Sequence, residues 1–169
     1  MNEEIYKNYL KPFVSDEYHD ELVEPFMLEA MFRQAIIAAN KVNMIKKSLY
    51  YGAKFRGKKF ENLQTKIQHK DKFNDILHAT LGLYTEAGEM LEIVYDLMSK
   101  RSEPDFYHFT EELGDFYFYL TLLQIQLNLD PNKIREKNAL KMNARFGMKF
   151  AENRALYRNE AKERKVMEK

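Results

Sequence analysis

LYTEAGEMLE, residues 83–92, sets two glutamates, Glu86 and Glu89, three apart in a stretch whose other spacings trace the apolar face of a helix. Working outward, Ala79, Leu83, Met90, Ile93 and Leu97 recur at helical spacing and predict a helix over roughly 72–99. Gly82, Leu83, Glu89 and Met90 stand one turn from Glu86 on the same face, and Ala79 and Ile93 two turns away. Glu86 therefore lies inside the stripe that should meet a core. A carboxylate there needs a reason.

The same anomaly recurs downstream. EELGDFYFYL places Glu112 and Asp115 three apart on a face that continues through Phe116, Tyr119 and Leu122. Two helices thus aim a carboxylate pair each at a shared interior. Burying one unpaired carboxylate costs several kcal/mol, and four at close range raise one another's pKa sharply. Such a cluster persists when cations neutralise it, either Lys or Arg from another helix or a divalent metal. All-oxygen ligation favours Mg²⁺ or Mn²⁺ over zinc.

The rest of the chain reads as helices too. It has 169 residues with only 6 Gly and 4 Pro, enough for one domain with its own core. Pro25 suits the first position of a long helix, and Gly52 suits its stop. SEPD at 102–105 starts another helix, with Pro104 in its first turn, that runs to about Leu127. Asp130 and Pro131 open a fourth, ending near Phe146, and 148–169 reads as a further charged helix packed at a subunit interface. The expectation is an all-α bundle of four to five helices, a single domain over 1–169 with an N-terminal extension over 1–25.

Composition narrows the chemistry. With no cysteine, disulfides, thiolate metal sites and thiol nucleophiles are excluded. The longest apolar runs fall short of a membrane span, and MNEEIYKNYLKPF lacks the basic-then-apolar order of a signal peptide, so a cytoplasmic protein is expected. A net charge of +1 supplies no field to attract nucleic acid. The connection over 52–72 is basic (Lys54, Arg56, Lys58, Lys59, Lys66, Lys70, Lys72) and reads as a solvated loop.

KIREKNALKMNARF adds a second constellation. Asn138, Lys141 and Arg145 fall at i, i+3 and i+7 on one helical face, where an amide and two cations can meet phosphate oxygens. A metal on one side and basic groups on the other are what a triphosphate needs at its scissile bond. A di-iron bundle would need Glu-x-x-His pairs, and no His stands three residues after any of the four acids.

TEAGE (85–89), EELGD (111–115) and N-x-x-K-x-x-x-R (138–145), in that order, resemble the MazG-like nucleoside triphosphate pyrophosphohydrolases, and their compact, often phage-encoded, branch in particular. The resemblance spans roughly 45–169. It implies Mg²⁺-dependent hydrolysis of a nucleoside triphosphate to the monophosphate and pyrophosphate, in a homodimer or homotetramer. Glu86, Glu89, Glu112 and Asp115 would hold the metal, with Glu86 or Glu89 taking the proton from water; Asn138, Lys141 and Arg145 would bind the phosphates. Thr85 departs from relatives that carry a further glutamate there. The alternative is a non-catalytic nucleotide-binding or interaction module whose acids pair with Lys141 and Arg145.

Overall fold

The computed structural model describes residues 1–15, 19–54, 70–100, 103 and 105–168; Arg56, Lys58, Lys59 and Lys66 of the basic connection, and Pro104, lie outside the described residues. These residues form α-helices and short 3₁₀ turns, with no strand among them. None of the helices is long and apolar enough to cross a membrane, among the described residues. The helices are α1 (Glu3–Leu10), α2 (Pro25–Tyr51), α3 (Lys70–Lys100), α4 (Phe106–Leu127), α5 (Pro131–Phe146), α6 (Glu152–Leu156) and α7 (Glu160–Met167). Seven helices replace the four or five expected.

The boundaries follow local chemistry. Pro25 opens α2, and Gly52 closes it at φ 69°, with its cap N–H bonded to the Lys47 carbonyl. The Asp105 side chain accepts from the His108 N–H, and that of Asp130 from the Asn132 N–H. The expected C-terminal helix is a correction. Gly147, at φ 75°, ends α5, and the chain restarts twice, the second time where Asn159 accepts from the Lys162 N–H. The N-terminal extension is itself partly helical, capped by Asn2.

Contacts divide the chain into two compact units, Glu21–Asn128 and Met1–Asp20 with Leu129–Lys169. In the first, α3 packs between α2 and α4. Two glycines allow close approach, because a Cβ on Gly88 would lie 2.2 Å from the Ala39 Cβ, and one on Gly82 2.2 Å from the Tyr119 ring. Away from that contact α2 remains apolar, exposing Phe26, Met27, Met31, Ile45 and Leu49. In the second unit α1, α6 and α7 pack on α5. There Tyr9, Phe13, Phe146 and Phe150 form a chain of ring contacts, and the Phe150 N–H donates to the Pro12 carbonyl at 2.8 Å.

Candidate functional site

The acids of α3 and α4 meet. Glu86, Glu89 and Glu112 each offer a carboxylate oxygen within 4.8 Å of the others. Glu86 and Glu112 are buried and Glu89 is half-buried. Asp115, expected as the fourth member, stands outside this group and is exposed. It stays near enough to Tyr119 for its charge to help raise that phenol's pKa, after burial and the Tyr51 hydroxyl.

The cation that neutralises Glu86 comes from α2. Lys46 is 4 % exposed, and its ammonium donates to Glu86 Oε1 at 2.8 Å and to Thr85 Oγ1 at 2.7 Å. It also lies 4.7 Å from the centroid of the Tyr119 ring. Thr85 is fully buried, and its hydroxyl also lies 2.9 Å from the Gly82 carbonyl and 3.0 Å from Glu86 Oε1. One turn before Lys46, Asn43 Nδ2 donates to Glu89 Oε1 at 3.0 Å, while its buried Oδ1 has no partner. An orphaned buried acceptor is costly unless water or a cation meets it.

Among the described residues one ammonium meets the three acids, and it pairs with Glu86. Burial first, then the charge of Glu89 and a hydrogen bond with it, push the Glu112 carboxyl up to about 7; the Glu86 charge adds to this and His108 opposes it. His108 Nε2 sits 2.9 Å from Glu112 Oε1, on the open side of the cluster. A cavity of about 240 Å³ opens there, lined by Asn40, Glu89, Glu92, Ile93, Asp96 and His108. His78 plays another part. It stacks on Tyr50 at 4.0 Å, meets Tyr51 and Tyr119 edge-on, and has a pKa lowered by burial and then by Lys46.

The residues expected to grip phosphate lie on α5, in the other unit, and each has local company. Asn138 Oδ1 accepts from the Tyr6 hydroxyl at 2.8 Å. Arg145 makes a two-pronged bond to Glu163, with Nε to Oε1 at 2.8 Å and Nη2 to Oε2 at 2.6 Å. Arg158 joins the same carboxylate at 2.9 Å. These two guanidinium bonds hold the buried Glu163 carboxyl down to about 2 against the desolvation that opposes them. Lys141 lines a shallow cavity with Arg158, Glu160, Glu163, Arg164 and Met167.

Sequence reasoning missed Lys46, Asn43 and Glu163. A signal existed on α2: Ala39, Asn43, Lys46 and Tyr50 are spaced four, three and four apart, so polar groups interrupt one face just as the acids interrupt α3. No protein family, curated protein or solved structure compared with the chain matches it.

Proposed function

We propose that the chain is a divalent-cation-dependent nucleoside triphosphate pyrophosphohydrolase of the MazG-like kind its motifs resemble, converting a ribo- or deoxyribonucleoside triphosphate to the monophosphate and pyrophosphate. The observation that carries this reading is the meeting of Glu86, Glu89 and Glu112, of which, among the described residues, Glu86 is paired with an ammonium. The donor set fits a hard cation, Mg²⁺ or Mn²⁺: it is all oxygen, it carries surplus negative charge, and the unpartnered Asn43 Oδ1 adjoins it. Glu86, Glu89 and Glu112 would hold the ion, with Asp115 outside this inner set. When bound, such an ion supplies Lewis acidity toward phosphate oxygens and lowers the pKa of water.

The chain's own residues divide the remaining work. Glu86 is tied to Lys46 and Thr85, so of the two acids expected as bases Glu89 is the freer; its one neutral donor is Asn43. Lys46 fixes the Glu86 carboxylate and offsets its charge. The phosphate roles of Asn138, Lys141 and Arg145 rest on the motif resemblance alone. The apolar outer side of α2 supports assembly as a homodimer or homotetramer. A cytoplasmic location is what an activity on nucleoside triphosphates implies.

The Lys46–Glu86 pair also supports a second reading, a helical binding or interaction module stabilised by an internal ion pair. A panel of ribo- and deoxyribonucleoside triphosphates incubated with Mg²⁺, with monophosphate, diphosphate and pyrophosphate resolved by chromatography, separates the two. Monophosphate and pyrophosphate in equal amounts are expected. Absence of turnover on every nucleotide, or diphosphate as the product, overturns the hydrolase reading.

A further inference from the structure

We infer that the second unit carries an anion pocket for a multiply charged phosphate group, built by Arg145, Arg154 and Lys162 rather than by the Asn138–Lys141–Arg145 face. A cavity of about 320 Å³ lies where α5 ends and α7 begins, lined by Ala144, Arg145, Gly147, Arg154, Tyr157, Asn159 and Lys162. Three of these seven are cations and none is a carboxylate. Lys141 is not among them, so the sequence-expected trio does not converge here.

The cations are held rather than spent. Glu163, 4 % exposed, takes the Nε and Nη2 edge of Arg145, which leaves the Nη1 donors of that guanidinium outside the pair. Arg158 shares the same carboxylate, so two guanidiniums meet the one Glu163 carboxylate, and the charge of Glu160 also acts on Arg158. Arg154 Nη1 donates to the Phe146 carbonyl at the end of α5, a neutral partner that fixes the side chain without cancelling its charge. Gly147 brings the backbone close, since a Cβ there would lie 3.2 Å from Arg154 Nη1. Lys162 stands in the first turn of α7, where the helix dipole disfavours a cation, and has no ion pair among the described residues. The Nη1 group of Arg145, the remaining donors of Arg154 and an ammonium around one small cavity match the oxygens of a phosphate chain. A lone carboxylate would satisfy only one of them.

This inference stands apart from hydrolysis, so its test excludes metal and nucleotide. The full chain in EDTA is titrated with inorganic tripolyphosphate, pyrophosphate and orthophosphate, with sodium chloride at matched ionic strength as the control. Saturable stabilisation is expected, with a melting-temperature rise of about 3–6 °C at a tenfold excess over half-saturation. Half-saturation should weaken from tripolyphosphate to orthophosphate. Lys162→Gln, an exposed change, and Arg154→Gln should each weaken tripolyphosphate at least about tenfold. Lys133→Gln, an exposed change in the first turn of α5, should not. In the unmutated chain, backbone amide shifts caused by tripolyphosphate should concentrate at 144–147 and 154–162. A rise no larger than that with sodium chloride, equal binding by Lys162→Gln and Arg154→Gln, or shifts centred elsewhere overturns the pocket.

Discussion

Replacing Lys46 by Met keeps the stem of the side chain and deletes its ammonium. The exposure of the pair decides the size of the effect. A solvent-exposed ion pair is worth about 1 kcal/mol or less, but Lys46 and Glu86 have side chains 4 % and 6 % exposed. Removing one partner of a buried pair costs about 3–5 kcal/mol, because the remaining charge is left uncompensated. Here the stranded carboxylate would also face Glu89 and Glu112, its neighbours in the cluster. Losing the contact over the Tyr119 ring adds about 1 kcal/mol, while relaxation and proton uptake recover part of the total. The expected loss is about 3 kcal/mol, or about 6–12 °C in melting temperature. Adding Glu86→Leu removes the stranded charge and should return stability to within about 1 kcal/mol of the parent, a coupling of at least about 2 kcal/mol, larger by whatever Glu86→Leu costs alone. Urea unfolding in EDTA of the parent, both single variants and the double variant measures it, with agreement between two spectroscopic probes as the two-state check. A Lys46→Met loss below about 1 kcal/mol, or additive single effects, would refute the account of Lys46 as the internal counter-ion.

Glu89→Gln and Glu112→Gln should each raise the metal-free melting temperature by relieving like-charge repulsion, and each should abolish stabilisation by millimolar Mn²⁺; scanning calorimetry with and without the ion reads both, and retained stabilisation in both variants removes the metal assignment. Glu163→Gln should cost about 3 kcal/mol near neutrality through its charge-assisted bonds to Arg145 and Arg158. Since the folded Glu163 pKa is depressed from 4.5 to about 2, its contribution is complete above about pH 4.5 and lost as pH falls toward 2. The gap between parent and variant should therefore close across that window in urea titrations, and a gap independent of pH contradicts the ion pair. Gly88→Ala would set a Cβ 2.2 Å from that of Ala39 and should destabilise by about 1–3 kcal/mol despite better helix propensity. Gly114→Ala meets nothing within 4 Å and should stabilise by about 0.5–1 kcal/mol, so melting curves with the opposite ranking refute the packing of α2 on α3.

Helix ends were legible in the sequence because their signals are local. Pro25 and Gly52, and Asp130 with Pro131, act on backbone groups within one turn of themselves, and α2 and α5 begin and end within a residue or so of where those residues placed them, whereas α4 begins at Phe106, about a turn later than SEPD predicts, with Asp105 as its cap. The anomaly of Glu86, Glu89 and Glu112 was legible for a similar reason, since helical periodicity alone puts them on apolar faces. Tertiary structure decided which cation answers them. A lysine reads the same along a chain whether it ends in water or in a core; Lys46 becomes the partner of Glu86 because the packing of α2 on α3 brings Ala39 onto Gly88 and the ammonium onto Thr85. It also left Asp115 exposed and gave Arg145 to Glu163. The physical reason is common to all three. Periodicity fixes the face on which a charge stands, but the free energy of that charge depends on desolvation and on neighbours brought by other helices, which no spacing along one helix contains.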